Sequence, residues 1–337
     1  MADISGTFPS SLAVRTSRVG PDSVARDWVR PDSRRVLQLV LAGIWLLDGV
    51  LQLQQFFFTE QFGKTMISSM AQGNPLVIAR PITWSSHIII HNPAWTNAIF
   101  ASIQILLGLA IAWRPSLRIG LAASVVWALG VWWVGEGLGG VLSGSANPVN
   151  GAPGAVIIYA LLAVLLWPYD RPGEDPPFVA ARATGARIAK GLWFILWASL
   201  SYFAVLGSNR SAQGLHGLIK AEENGEPGWV VSLDKGIASV VDHQGLAVSI
   251  ILAVLLLVVA VGAYLPTKAA NATIVVGMVL SMLFWVIGQD FGAILAGGAT
   301  DVNSGPLLFL LCVAFWHTKP DPKATEAGAP LRVVEGA

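Results

Sequence analysis

Two similar glycine-rich segments each contain an acidic side chain, and these acids are the first candidates for chemistry. Residues 132–140 read Trp-Trp-Val-Gly-Glu-Gly-Leu-Gly-Gly, and residues 285–293 read Trp-Val-Ile-Gly-Gln-Asp-Phe-Gly-Ala. Each segment follows an apolar run, so Glu136 and Asp290 lie at the end of a predicted membrane helix. Acids in a membrane are costly and often bind a ligand or carry a proton. The glycines equally suit close helix packing, and an acid at a helix end can simply face water.

Neighbouring polar and aromatic side chains extend this candidate ligand site. Gln289 adjoins Asp290, and Asn150 and Asn303 lie in the loops after the two segments, where they are also good turn formers. Three tryptophans flank the segments and could line a pocket, against a quinone ring for example: Trp132, Trp133 and Trp285.

Asp48 stands inside the first apolar run, within Trp-Leu-Leu-Asp-Gly-Val-Leu-Gln at 45–52. A carboxylate there needs a partner such as Gln52 or Gln104, or it is neutral. Asp48 and Gln104 are therefore site candidates, and a protonated, hydrogen-bonded packing residue is the alternative for Asp48.

Histidines are candidates for metal or haem ligation. His87 and His91 are four residues apart and share one helix face, a spacing compatible with a metal, and His243 precedes a later apolar run. An interfacial or capping role at a membrane edge is the alternative for all three. The chain has one cysteine, which excludes an intrachain disulfide and multi-cysteine metal sites.

The elements that must position these residues are membrane helices. The chain of 337 residues is 54% hydrophobic and only 12% charged, against about 25% charged in typical soluble domains. This balance excludes a disordered protein, a nucleic-acid binder and an ordinary cytosolic enzyme. Eight apolar runs predict an all-α membrane protein with eight transmembrane helices, at 36–55, 94–113, 119–142, 154–168, 190–207, 246–265, 272–296 and 306–317.

The two halves of the chain read as one unit repeated. Shifts of 152 or 153 residues align Gln61 with Gln213, Pro75 with Pro227, His91 with His243 and Trp132 with Trp285. Four spans per unit make this a parallel repeat, with amphipathic helices lying over the outer mouth of each bundle. The predicted segments are a basic tail (1–35), repeat 1 (36–168), a linker (169–189), repeat 2 (190–317) and a second tail (318–337).

Charge sets the predicted direction of insertion. With the N-terminus inside, 16 of the 21 lysines and arginines fall on the inner side, which predicts cytoplasmic termini in a cell membrane. The last apolar run is short: 305–317 covers about 20 Å of a roughly 30 Å hydrocarbon core. The loop before it must then dip into the membrane, which predicts an outward-facing pocket in each half, floored by this loop.

Residues 104–123 read Gln-Ile-Leu-Leu-Gly-Leu-Ala-Ile-Ala-Trp-Arg-Pro-Ser-Leu-Arg-Ile-Gly-Leu-Ala-Ala, which resembles the DoxX-like membrane proteins. In that family the second of four spans has Glu-x-x-x-Gly before a basic turn; here Gln104 replaces the glutamate, and Leu256 stands there in the second copy. This departure argues against carrying over proton chemistry. The resemblance covers 36–168 and, more weakly, 190–317, and implies a redox-associated membrane subunit, as in thiosulfate:quinone oxidoreductase.

The leading hypothesis is a redox-associated membrane subunit that binds a quinone or another small apolar molecule. We expect it not to be an enzyme by itself but to support a membrane or peripheral redox partner. Besides the lipid bilayer, a second copy of the chain is a candidate partner, and nucleic acid is not. A small-molecule or ion transporter and a non-catalytic scaffold or assembly factor are the alternatives.

Overall fold

The computed structural model describes residues 32–318, except 174, 223 and 224. Within this part the chain forms helices and no strand, as the sequence predicts. The predicted tails lie outside it, apart from Asp32, Ser33–Arg35, which begin the first helix, and Thr318. The positions of both termini therefore stay predictions.

The first half contains five α-helices, which are α1 (Ser33–Leu51), α2 (Leu76–His91), α3 (Pro93–Ala112), α4 (Leu117–Val134) and α5 (Ala155–Leu165). Helix α1 packs along α3, and α4 packs on both α3 and α5. Glycines let α1 and α3 approach closely, because a Cβ at Gly49 would lie 2.6 Å from Ile105 and one at Gly108 would lie 2.6 Å from Leu46.

The second half contains α6 (Ala181–Thr184), α7 (Ala186–Ala204), α8 (Gly214–Glu222), α9 (Gly228–Val241), α10 (Gly245–Gly262), α11 (Thr267–Leu283) and α12 (Ser304–Ala314). Helix α7 packs along α10, and α11 packs on α10 and α12. The short helices α5 and α12 pack against each other and join the two halves.

Four helical segments in the described part are long and apolar enough to cross a membrane: Pro93–Ala112, Arg114–Val134, Gly245–Gly262 and Thr267–Gly288. Large apolar side chains on them are exposed, such as Val126 at 73%. Such exposure suits contact with lipid. Helices α5 and α12 have 11 residues each, which confirms that the fourth and eighth apolar runs form short helices.

Helix α2 covers one end of the first half. It buries Ile78, Ile82 and Ile89 against Phe57 and Phe62 of the preceding segment. That segment consists of 3₁₀ turns at Gln55–Phe58 and Ser68–Ala71 and a π-helical turn at Phe62–Ile67, instead of the predicted amphipathic helix. In the second half two helices, α8 and α9, occupy this place, as predicted. We call this end of the molecule, with residues 135–154 and 289–303, the loop end.

The opposite end contains the predicted linker. Arg34 donates to the Tyr169 carbonyl at 2.9 Å and forms an ion pair with Asp170 at 2.9 Å, and Arg182 bonds the same carboxylate at 2.9 Å. The Arg35 guanidinium donates to the Ile111 carbonyl at 3.1 Å. These hydrogen bonds satisfy backbone carbonyls at or just beyond the C-terminal ends of α3 and α5. They therefore hold the start of α1 against the ends of both helices.

Candidate functional site

A cavity of about 590 Å³ lies in the first half, between α1, α3, α4 and α5. Its wall is mostly apolar and aromatic, with Trp45, Phe62, Phe100 and Trp127 among its residues. Exposed residues of α4, such as Val126 and Gly130, form one edge of it. The cavity therefore opens along the flank of an apolar helix that suits contact with lipid.

Asp48 reaches this cavity from α1 and is completely buried. Its Oδ2 accepts a hydrogen bond from the Tyr159 hydroxyl of α5, and the Val302 backbone N–H also interacts with the carboxyl group. Its Oδ1 has no hydrogen bond of normal geometry. The Tyr159 ring packs on Trp45 with centroids 4.2 Å apart, and Trp45 donates to Ser124 Oγ at 3.0 Å. Side chains from α1, α4 and α5 thus hold the carboxyl in place.

Neither Gln52 nor Gln104, the partners expected for Asp48, forms a side-chain hydrogen bond with it. The Gln52 side chain instead donates to Asn97 Oδ1 at 2.5 Å. The Asn97 side-chain amide donates in turn to the Gln52 backbone carbonyl at 2.8 Å. Gln104 lines the cavity from α3, 9% exposed, and its buried Oε1 has no hydrogen-bond partner. The indole nitrogen of Trp127, opposite on α4, is likewise buried without one. Tyr159 escaped sequence reasoning because it lies in an otherwise apolar run.

Glu136 caps the short helix α5. Its Oε1 accepts the backbone N–H groups of Ala155 at 3.1 Å and Val156 at 3.3 Å, two donors that the first turn of the helix leaves unpaired. Its Oε2 is buried beside Gly154 and has no hydrogen-bond partner, and the residue lines the cavity. Glu136 therefore combines the structural role left open by the sequence with a position at the cavity.

The aligned residue Gln289 does the same structural work for α12. Its Oε1 accepts the Gly305 N–H at 3.1 Å, and its Nε2 donates to Ser304 Oγ at 3.0 Å. Nearby, Asn303 caps the helix by accepting the Ser304 N–H at 2.6 Å. In both halves, a side chain of the glycine-rich motif thus accepts backbone N–H groups at the start of the short helix.

The flanking tryptophans brace these loops. Trp132 donates to the Pro153 carbonyl at 2.6 Å, and Trp285 donates to the Val302 carbonyl at 3.0 Å. None of the three predicted tryptophans lines the cavity, and Trp133 is 43% exposed. Asp290 is 1% exposed and lies away from the cavity wall.

A carboxylate missed by the sequence analysis, Asp301, completes the cavity from the second half of the chain. It accepts the Asn303 N–H at 2.7 Å and the Thr300 hydroxyl at 2.9 Å. The aligned residue of the first half is Pro148. The sequence signal that could have identified Asp301 is that only one of the two matching loops has an acid at this position.

The loops of the two halves cross. Val149 of the first half accepts a hydrogen bond from Gln289 of the second at 3.3 Å, and Asn147 donates to Asn209 Oδ1 at 2.8 Å. In return, Thr300 and Asp301 reach into the first half. The cavity is therefore floored by the loop of the other half, whereas the sequence predicted that each loop floors its own.

A polar cleft of about 450 Å³ lies beside the cavity at the loop end. Asn150 and Asn303, two of the candidates from the sequence, line it. Met66, Glu136 and Asp301 line both the cleft and the cavity. The two acids therefore stand at the junction between a polar opening and the apolar interior.

Burial shifts both junction acids, which lie in the segments after α4 and α11, towards their neutral forms. Burial, with repulsion from Asp301, raises the pKa of Glu136 to about 8. Burial also raises the pKa of Asp301. No lysine, arginine or histidine lines the cavity within the part of the chain that the structure describes.

Replacing Glu136 by glutamine should make stability less dependent on pH. Because the folded-state pKa is raised, the folding stability linked to Glu136 is intact below about pH 4.5 and is lost as pH rises towards about 8. Thermal unfolding in detergent from pH 5 to 8.5 should show a smaller fall in Tm for Glu136→Gln, by about 5 °C. The exposed Glu60→Gln is the control. Parallel curves for wild type and Glu136→Gln would contradict the assignment.

The second half has apolar residues at the positions aligned with three polar residues of the cavity. The shifts that align the halves place Leu200 on Asp48, Leu256 on Gln104 and Cys312 on Tyr159, and all three are 0% exposed. Asp48, Gln104 and Tyr159 therefore have no polar counterparts at the aligned positions of the second half.

The candidate metal ligands do not come together. His87 and His91 are exposed on α2 with ring centroids 6.4 Å apart, and His243 lies 3.5 Å from Asp242 at the loop end. Across the described residues, no group of three or more histidine, cysteine or acidic side chains is arranged to hold a metal ion.

A scan against protein-family models and searches of curated proteins and of solved structures found no significant match to this chain.

Proposed function

We propose that this protein is an integral membrane protein of eight spans, arranged as two parallel four-helix repeats. The support is the aligned residues of the two halves and the matching pairs of packed helices, α1 with α3 and α7 with α10. The two braces made by Trp132 and Trp285 agree with it. The predicted direction, with both termini cytoplasmic, belongs to the same proposal.

Within this framework the first half binds a small, largely apolar molecule from the lipid side. One observation carries this: three buried polar atoms, on Asp48, Gln104 and Glu136, line an otherwise apolar cavity without hydrogen-bond partners. Leaving such atoms unpaired costs about 1–3 kcal/mol each, which a bound molecule offsets. Leucines and a cysteine fill the aligned interior of the second half, so packing alone does not require the polar set.

A quinone-type molecule is the ligand that the resemblance to DoxX-like proteins implies. The cavity volume lies within the range of small-molecule sites, and the aromatic wall suits a flat ring. On this proposal the chain holds the molecule for a membrane or peripheral redox partner and is not an enzyme by itself.

The test combines ligand mass spectrometry with a variant that closes the cavity edge. Gly130 is exposed at that edge, and a Cβ there meets nothing within 4 Å, so Gly130→Phe should fold normally and block the opening. We expect the molecule extracted from purified Gly130→Phe to fall about tenfold against wild type, the equivalent of about 1.4 kcal/mol in binding. Gly43→Phe, equally exposed and open on α1 but away from the cavity, is the matched control.

The opposite outcomes are equally clear. Equal amounts of co-purified molecule in both variants would place its site elsewhere. Protein that carries no molecule in any sample, and co-purifies only with another protein, would favour the scaffold hypothesis.

A transporter is the second candidate, because the cavity and the polar cleft share Met66, Glu136 and Asp301. A solute could pass between the lipid-side cavity and the loop end along these residues. Flux of the co-purified molecule into proteoliposomes, abolished by Gly130→Phe, would support this function over static binding.

A further inference from the structure

The cavity presents acceptor atoms that no group of the described chain satisfies. They are Oδ1 of Asp48 on α1, Oε1 of Gln104 on α3, and Oε2 of Glu136, which lies two residues after the end of α4. Asp48 is 0% exposed and Gln104 is 9% exposed, and both line the cavity. Gln104 has no charge at any pH, and it also has an unpaired acceptor atom and lines the same cavity.

The wall has few donors left to offer. The Tyr159 hydroxyl already donates to Asp48, and the Thr300 hydroxyl already donates to Asp301. The indole nitrogen of Trp127 is the buried donor at the wall without a hydrogen-bond partner. Once the carboxyl groups are ionised, acceptors outnumber donors at this wall, and a molecule that satisfies it must bring donors.

The wall favours a cation, because an ammonium group bound beside the carboxyl groups stabilises their ionised forms. Three carboxyl groups, those of Asp48, Glu136 and Asp301, line the cavity, and no basic side chain among the described residues faces them there. Aromatic residues, Trp45 and Trp127 among them, line the same space and can stabilise a cation through their ring faces. An anion would meet repulsion and no compensating base.

We propose that the cavity binds an organic amine with an apolar body, whose ammonium group donates to Asp48, Gln104 and Glu136 while its body lies against the aromatic wall. This inference rests on the proposed small-molecule function and names its ligand class. An oxidised quinone has acceptors only, so it could pair with this wall only through Trp127 or through a protonated carboxyl group. The amine is either a free molecule or the head group of a lipid that enters along α4.

Three probes with one body and different head groups test the class. The full chain in phosphatidylcholine nanodiscs is equilibrated with 4-phenylbutylamine, 4-phenylbutanol or 4-phenylbutyrate, and binding is measured by dialysis against empty nanodiscs. We expect the amine to bind at least about tenfold more tightly than the alcohol, as for hydrogen bonds to charged groups, and the carboxylate to bind most weakly.

A charge-matched pair of variants locates the amine. Asp48→Asn should weaken binding of 4-phenylbutylamine about tenfold and leave binding of 4-phenylbutanol unchanged. Asp242→Asn removes an acid at the loop end outside the cavity and should change neither. Equal losses in the two variants would overturn the assignment to the cavity.

The remaining outcomes separate the two proposals. If the alcohol or the carboxylate binds as tightly as the amine and Gly130→Phe still blocks it, the cavity stands and the ligand class is wrong. If no probe binds and no molecule co-purifies, both proposals fail. Adding phosphatidylethanolamine to the nanodiscs distinguishes a lipid head group from a free amine. If this lipid competes with 4-phenylbutylamine, the ligand is a lipid head group; if it does not compete, the ligand is a free amine.

Discussion

Replacing Asp48 by leucine together with Tyr159 by phenylalanine should remove at least about nine-tenths of the molecule that co-purifies with the protein, by losing a charge-assisted contact worth about 1.5–3 kcal/mol. The pair is changed together because the Tyr159 hydroxyl donates to Asp48, and removing one partner would leave the other unpaired. Phenylalanine keeps the ring that packs on Trp45. Mass spectrometry of purified protein, with monodispersity as the folding check, gives the measurement.

The aligned position of the second half supplies the control. Leu200 is 0% exposed, and Leu200→Met conserves volume, so it should cost less than about 1.5 kcal/mol and leave the bound molecule in place. A well-folded Asp48→Leu/Tyr159→Phe protein that retains the molecule in full would show that this carboxyl is a packing residue, the alternative that the sequence left open.

Replacing Gly139 by alanine should be the most destabilising single change in the glycine-rich motif, at about 3 kcal/mol or more. Gly139 has φ +62°, and a Cβ there would overlap the carbonyl of Pro153, a backbone group that cannot move aside. The clash would displace the start of α5 and the Glu136 cap. Thermal unfolding and the yield of monodisperse protein measure the effect.

Gly144 separates the clash from the backbone conformation. It has φ +76°, but a Cβ there meets nothing within 4 Å, so Gly144→Ala carries only the strain of a left-handed residue, about 1–2 kcal/mol. Equal stability losses at the two positions would mean that the close approach at Gly139 is not needed for the fold.

The helices were largely predictable because apolar runs have sharp ends. The runs 94–113 and 154–168 correspond to α3 (Pro93–Ala112) and α5 (Ala155–Leu165). Polar residues that interrupt such runs, Asp48 and Gln104, were also found from the sequence, because an apolar context makes them conspicuous.

Two features of the site could not be predicted from the same pattern. Trp133 was expected at the pocket, but successive helix residues point about 100° apart, so only one of the adjacent Trp132 and Trp133 can face inward. Asp301 was missed because a repeat alignment assigns each loop to its own half, and contacts between distant segments leave no local periodicity.

The crossed loops mean that the chain resembles an assembly of two subunits fused into one. Since Thr300 and Asp301 complete the cavity of the first half, and Val149 contacts Gly288 and Gln289 of the second, neither half is complete when separated from the other. Such mutual dependence frees the copies to specialise: one keeps the polar interior, and the other contributes a loop and an apolar support. Truncation at the linker would therefore yield two incomplete fragments, and the two must be produced together.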